Sequence, residues 1–225
     1  MRIKLVIVSV LVLIGQTLQA QIKQVINPIS ELEVTDRLWV SIVPSDKNEM
    51  IIDGELADKV EAVVSQDKIR LKMKAGYYLK GNQASVVIFT NQISTIIARK
   101  GAEVNVEKDT LKVNRVSLTA NGGAKIRALI STSNLTVKIN SGSTVDVLGV
   151  SENLTVNTTA GSSFFGKDLK TKNAVVRVNG GGRSQINADE FADVETRIGG
   201  EIEVFGNPKE RKEKKIAGGK ISFLD

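Results

Sequence analysis

Residues 115–133 read RVSLTANGGAKIRALISTS, residues 134–152 read NLTVKINSGSTVDVLGVSE, and residues 153–171 read NLTVNTTAGSSFFGKDLKT. Laid one above another, the three strings are copies of a single 19-residue unit. Val116, Leu135 and Leu154 share a column, as do Leu118, Val137 and Val156, then Gly123, Gly142 and Gly161, then Ile126, Val145 and Phe164. On each side of the glycines, apolar and polar residues alternate with period two, the pattern of a strand with one buried face. A fixed period near 20 residues combined with that alternation specifies a stacked β-solenoid.

The unit continues in both directions. Towards the N-terminus, Ala98, Gly101, Val104 and Val106 align with Ala120, Gly123, Ile126 and Ala128 at an offset of 22, with the extra residues in the polar stretch Glu107 to Thr110. Towards the C-terminus, Ala174, Val176 and Val178 follow Leu154, Val156 and Thr158 at an offset of 20, with Gly180-Gly181-Gly182 at the corner. The last two units, Gly199-Gly200 with Ile202 and Val204 and then Gly218-Gly219 with Ile221 and Phe223, return to 19. About seven coils are legible from Ala98 onward, a rod core of roughly 34 Å at the ~4.8 Å strand spacing.

The expected fold is therefore all-β: a single-stranded parallel β-helix with coils of 19–20 residues. A right-handed sense is expected from the rule for parallel crossovers. Inward columns of Val, Leu and Ile suit a narrow interior, and glycine serves the corners because a positive φ is cheap without a Cβ. Strand patterns also occupy Leu38 to Val43, Met50 to Asp53, Lys68 to Met73 and Val86 to Phe89. Residues 21–95 lack the glycine register and are expected to form less regular first coils or a capping β-layer, while 96–225 carry the regular repeats. Nothing marks a boundary within 21–225, so one domain is expected.

Residues 1–20 have the layout of a signal peptide: Arg2 and Lys4, an apolar run from Leu5 to Ile14, and Ala20 before Gln21. Removing them lowers the formal charge from +6 to +4, because two cations leave. The expected product is exported, with no membrane-spanning segment in the mature chain. It has no cysteine, hence no disulfide, lipid-anchoring thiol or thiolate ligand.

Histidine is absent too, which removes Ser-His-Asp chemistry and imidazole metal ligands. A glycosidase or lyase on a β-helix needs clustered carboxylates on one face. Here Asp146, Asp168, Asp189, Glu190, Asp193 and Glu195 do not recur in one repeat column, and the group Asp189, Glu190, Asp193 reads as a solvated turn. The corner Gly180-Gly181-Gly182-Arg183 lacks the Asp of a calcium-binding β-roll. Each glycine corner leads into a strand rather than a helix, so none is a phosphate loop. The run from Lys209 to Lys215 mixes lysine and arginine with two glutamates and reads as a solvated loop between strands. Nucleic acid is not an expected partner, since no aromatic residues interleave with the cations. Asn134-Leu135-Thr136, Asn153-Leu154-Thr155 and Asn157-Thr158-Thr159 match the N-glycosylation acceptor pattern, but the first two occupy equivalent positions and are expected to stack as an asparagine ladder.

The repeated corners Asn121-Gly122-Gly123-Ala124, Asn140-Ser141-Gly142-Ser143 and Ala160-Gly161-Ser162 carry a resemblance, together with the closing Phe205-Gly206-Asn207-Pro208 and Ala217-Gly218-Gly219-Lys220. With an opening segment from Val40 to Leu56, they resemble the family called "putative auto-transporter adhesin, head GIN domain". The resemblance implies a β-solenoid of the bacterial envelope and carries no catalytic motif with it. Three functions follow as expectations. First is a non-enzymatic, adhesin-like surface module binding an envelope protein or glycan through its solenoid faces. Second is a self-assembling structural protein pairing through exposed strand edges such as Ile221 to Asp225, and third is a carbohydrate-active enzyme. No catalytic, cofactor or metal residue is assigned.

Overall fold

The computed structural model describes residues 21–107 and 109–224; the expected signal peptide lies outside them. In chain order the strands are β1 (Ile22–Val25), β2 (Glu31–Val34), β3 (Trp39–Val43), β4 (Glu49–Asp53), β5 (Val60–Ser65), β6 (Lys68–Met73), β7 (Ser85–Phe89), β8 (Thr95–Arg99) and β9 (Glu103–Val106). There follow β10 (Leu111–Lys112), β11 (Arg115–Asn121), β12 (Lys125–Asn140), β13 (Thr144–Thr159), β14 (Ser163–Asn179), β15 (Arg183–Arg197), β16 (Glu201–Phe205), β17 (Glu210–Ile216) and β18 (Lys220–Phe223). The described residues contain no α-helix.

The strands make a β-solenoid of about seven turns. Each regular coil has two runs of alternating residues. In β12 they are Ile126, Ala128 and Ile130 inward, then Leu135, Val137 and Ile139 inward, with the alternation broken at Ser133 and Asn134. Stacked runs of the first kind form wall A: β7, β3, β9, the starts of β12 to β15, β16 and β18. Runs of the second kind form wall B: β6, β2, β8, β11, the ends of β12 to β15, and β17. The repeat columns are the observed partners, as in Val116 to Leu135 to Leu154 and Ile126 to Val145 to Phe164. The offset of 22 between Ala98 and Ala120 falls to 19 between Leu111 and Ile130, so the extra residues do lie in the 107–110 stretch.

At the corner leading from wall B to wall A, two or three consecutive residues take positive φ in every regular coil, for example Ser141 (56°) with Gly142 (67°) and Ala160 (50°) with Gly161 (68°). The same corner between β2 and β3 uses Asp36 (62°) and Arg37 (63°), neither a glycine. There the side chains replace what glycine does elsewhere. The Asp36 carboxylate accepts from the Thr35 hydroxyl (3.0 Å) and the Met73 amide (3.3 Å), while the Arg37 amide bonds the Lys100 carbonyl (3.1 Å). Buried polar atoms with partners are tolerated, and Asp36 is only 3% exposed.

Residues 21–95 contain a threading that the repeat does not announce. The β2–β3 coil lies between β6–β7 on one side and β8–β9 on the other, although β6–β7 comes between them in sequence. Beyond it the pairing becomes antiparallel: β4 against β7, β1 against β4, and β5 against β6. At this end the pairing thus departs from the parallel order of the regular coils. Reversing the last strands lets hairpin-like returns cover the open core without another full coil.

Two further expectations change. The coil closing through β15 is 18 residues, with Ser184 opposite Ile202, not 19. A bulge at Lys167 and Asp168 lengthens the β14 coil and is absent from β15, so the register runs back there. The stretch read as a loop at 209–215 falls, from Glu210 on, in β17, paired parallel to β15 from Phe191 opposite Glu210 to Arg197 opposite Ile216. Its inward positions carry Arg211, Glu213 and Lys215 because no further coil of wall B covers them, and charges there discourage edge pairing. A single buried apolar cluster runs from Ile26 to Ile221.

Candidate functional site

Because inward columns are fixed by packing, wall B presents its other residues as ranks about 4.8 Å apart. The outward positions read Arg-Ser-Thr-Asn along β11, Asn-Thr-Lys-Asn along the end of β12, Asn-Thr-Asn-Thr along β13 and Asn-Val-Arg-Asn along β14. None is a carboxylate. Asn173 donates to the Asn153 side-chain carbonyl (3.0 Å) and Asn153 to that of Asn134 (3.3 Å), forming the expected ladder. The third acceptor-like triplet is not part of it: Asn157 stacks between Lys138 and Arg177. A second, shorter link joins Thr159 to Asn140 (2.8 Å).

Carboxylates return at both ends of the wall, already paired. At the N-terminal end Glu33 meets Arg70 (2.7 Å) and Arg99 (3.3 Å), and Glu31 meets Lys68 (3.2 Å). At the C-terminal end Asp193 and Glu195, on one outward rank, converge on Arg177 at 2.9 and 3.6 Å. The hydrogen bond from Arg197, reinforced by the charges of Arg197, Lys214 and Arg177, holds the Glu195 carboxyl below its ordinary range. A general acid must retain a proton near neutral pH, and this group is held in the opposite state. The other acids are apart: Asp146 faces Arg127 on wall A (3.5 Å), Asp168 sits in the bulge, and Asp189 and Glu190 are exposed at a corner. Arg183 after the triple glycine is 3.0 Å from Glu203.

Beside the asparagine ladder, the other corner forms a groove of about 580 Å³. Thr132, Ser151 and Thr171 turn inward there and donate to the carbonyls of Asn134 (3.4 Å), Asn153 (3.0 Å) and Asn187 (2.6 Å). The first two bonds close the turns that carry Asn134 and Asn153, and the third ties the β14 corner to the β15 coil. The groove's outer column runs Lys112, Ser131, Val150, Lys170. Sequence reasoning missed this surface because it searched for residues that react; listing every second residue between the apolar columns exposes a carboxylate-free block.

Residues 29–208 match the family described as "Putative auto-transporter adhesin, head GIN domain". The chain belongs to that family. Solved structures share this fold at low identity. A "putative adhesin" of Bacteroides fragilis superposes with a TM-score of 0.83 at 14% identity, covering 91% of this chain and 96% of that one. A "putative lipid binding protein" of Parabacteroides distasonis gives 0.68 at 16%, and a "putative adhesin" of Parabacteroides merdae 0.68 at 14%, each covering 94% of this chain and 98% of its own. No curated protein sequence matches the chain.

Proposed function

We propose that this head GIN protein is a non-enzymatic, adhesin-like module of the bacterial envelope, exported and binding a surface protein or glycan through the side of its solenoid. The observation that carries the reading is the middle of wall B, a regular surface of amides and hydroxyls whose geometry is fixed by the coils beneath it. Ionisable groups that could do chemistry at its margin are engaged in ion pairs, as Asp193 and Glu195 are with Arg177. Family membership supports the adhesin-like class. Among the described residues no helix is long and apolar enough to cross a membrane.

The test is retention of the labelled protein on intact producing cells and on isolated envelope, with crosslinking to identify what holds it. Saturable capture by a distinct envelope component is the expected result. Absence of any saturable binding overturns the reading.

Self-assembly has one observation in its favour, at the end opposite to the one that the sequence suggests. Edge strand β5 leaves Val63 and Val64 42% and 45% exposed with no cation along it, whereas β17 is charged at every position but Ile216. An apolar edge is a template for another strand. Concentration-dependent sedimentation abolished by Val64→Lys is what this second reading requires.

A further inference from the structure

We propose that the corner groove and the adjoining ranks of wall B bind an acidic polysaccharide laid along the solenoid axis. This rests on the binding-module reading and names its site and ligand class.

Three observations converge. First, Lys112 and Lys170 occupy one register column, separated by Ser131 and Val150. Three coil steps place them ~14 Å apart. Neither has a carboxylate within ion-pair distance among the described residues, and the same holds for Arg115 and Lys138 on wall B, although ion pairs are frequent elsewhere on this surface. The groove's own carboxylates are Glu152, 3.7 Å from Lys172, and Asp189 at its far end. Cations so far apart cannot share one small anion, but a polymer with repeated negative groups reaches both.

Second, the surface between them is neutral and rich in paired donors and acceptors. Within the ladder Asn173 donates to Asn153 and Asn153 to Asn134, which leaves the Asn134 amide donors and the Asn173 carbonyl free to face outward. Vicinal sugar hydroxyls match that chemistry, and with no carboxylate on the wall B ranks of β11 to β14 an acidic sugar meets only Glu152, which is engaged with Lys172, and Asp189 in the groove. The turn hydroxyls that bond inward hold the amides in place, so little ordering is needed on binding.

Third, the alternatives lack their aromatic anchors. Protein interfaces concentrate energy in buried aromatic and arginine side chains, and single-stranded nucleic acid needs aromatic stacking. The outward ranks of β11 to β14 contain no aromatic residue on wall B.

The test uses the full chain with four probes: polygalacturonate, heparin, neutral dextran and a poly-dT oligonucleotide. Binding to polygalacturonate or heparin, weakened by salt and absent for dextran, is expected, and which of the two binds separates carboxylate from sulfate as the recognised group. Lys112→Glu with Lys170→Glu should lower that affinity by about tenfold or more. Lys209→Glu with Lys214→Glu changes net charge equally at a distant strand and should alter it less than about twofold. Circular dichroism and melting checks that both variants are folded. Equal losses in the two double variants would overturn the site, reducing the binding to general basicity. Poly-dT binding that is tighter and lost with Lys112 and Lys170 would overturn the polysaccharide in favour of nucleic acid. Saturable capture on cells without binding to either acidic polysaccharide would overturn the ligand class and leave the binding module standing; failure on cells as well would remove both.

Discussion

From β6 to β15 the middle and the ends of wall B are built on the same inward pattern and differ outside. Val116, Leu135, Leu154 and Ala174 stack in the centre as Leu32, Ile69 and Ile96 do at the N-terminal end, all nearly or completely buried. Outside, the ends are laced with ion pairs from Glu31, Glu33, Asp193 and Glu195, and the centre replaces them with amides and hydroxyls. A solenoid thereby separates two problems. Interior columns must match from coil to coil, while outward ranks are free to vary in chemistry without disturbing the stack. The outward change is where function can be sought.

The comparison fails if the ends are not truly part of the same stack. Leu32 and Leu118 are both fully buried, one in the β2–β3 coil and one in β11. Leu32→Ala and Leu118→Ala should each lose about 2–5 kcal/mol in urea unfolding. A far smaller loss at Leu32, or a separate early transition, would mean that the N-terminal coils are only loosely attached.

Corners and bulges sharpen the same point about backbone. A Cβ on Gly149 would meet the Ile130 carbonyl oxygen at 2.1 Å with φ at 112°, whereas one on Gly142 meets nothing within 4 Å at φ 67°. Gly149→Ala should therefore cost about 1–3 kcal/mol and Gly142→Ala about 1 kcal/mol. Equal values would show that φ alone, and not the close approach between coils, sets the requirement.

How much of this was legible depends on whether a coil needs glycine at its corner. From Gly101 onward it does, and the column partners, the 107–110 insertion and the asparagine ladder could all be read from residues. The β2–β3 corner uses Asp36 and Arg37 in the same conformation, stabilised by contacts to Met73 and Lys100 from other coils, so nothing local advertises it. Non-sequential threading of β6–β7 is invisible for the same reason: strand order depends on which edges meet, not on local pattern. The run at 209–215 misled because a strand at the end of a stack has no buried face and loses the alternation that identifies strands.

The ion pairs at the C-terminal end give a pH signature that the centre lacks. Glu195 is lowered by its bond from Arg197, and Glu203 by its bond from Gln185 and then by Arg183. A carboxyl with a lowered native pKa contributes fully above its ordinary value of 4.5 and loses that contribution as pH falls through the native value. The melting midpoint should be level from neutral pH down to about 4.5 and decline between there and the lower native value, and Glu195→Gln with Glu203→Gln should flatten the decline.

Outward residues of the centre should matter least to stability. Asn153→Ala removes two ladder contacts at an exposed site and should shift unfolding by no more than about 1 kcal/mol, while weakening polysaccharide binding. A larger stability loss would make the ladder a structural element of the stack.

The most direct measurement is lysine acetylation footprinting of the intact protein, read by mass spectrometry with and without saturating acidic polysaccharide. The account predicts protection of Lys112, Lys138 and Lys170, with Lys209 and Lys214 modified at unchanged rates. Uniform protection of all five, or protection confined to Lys209 and Lys214, would contradict it.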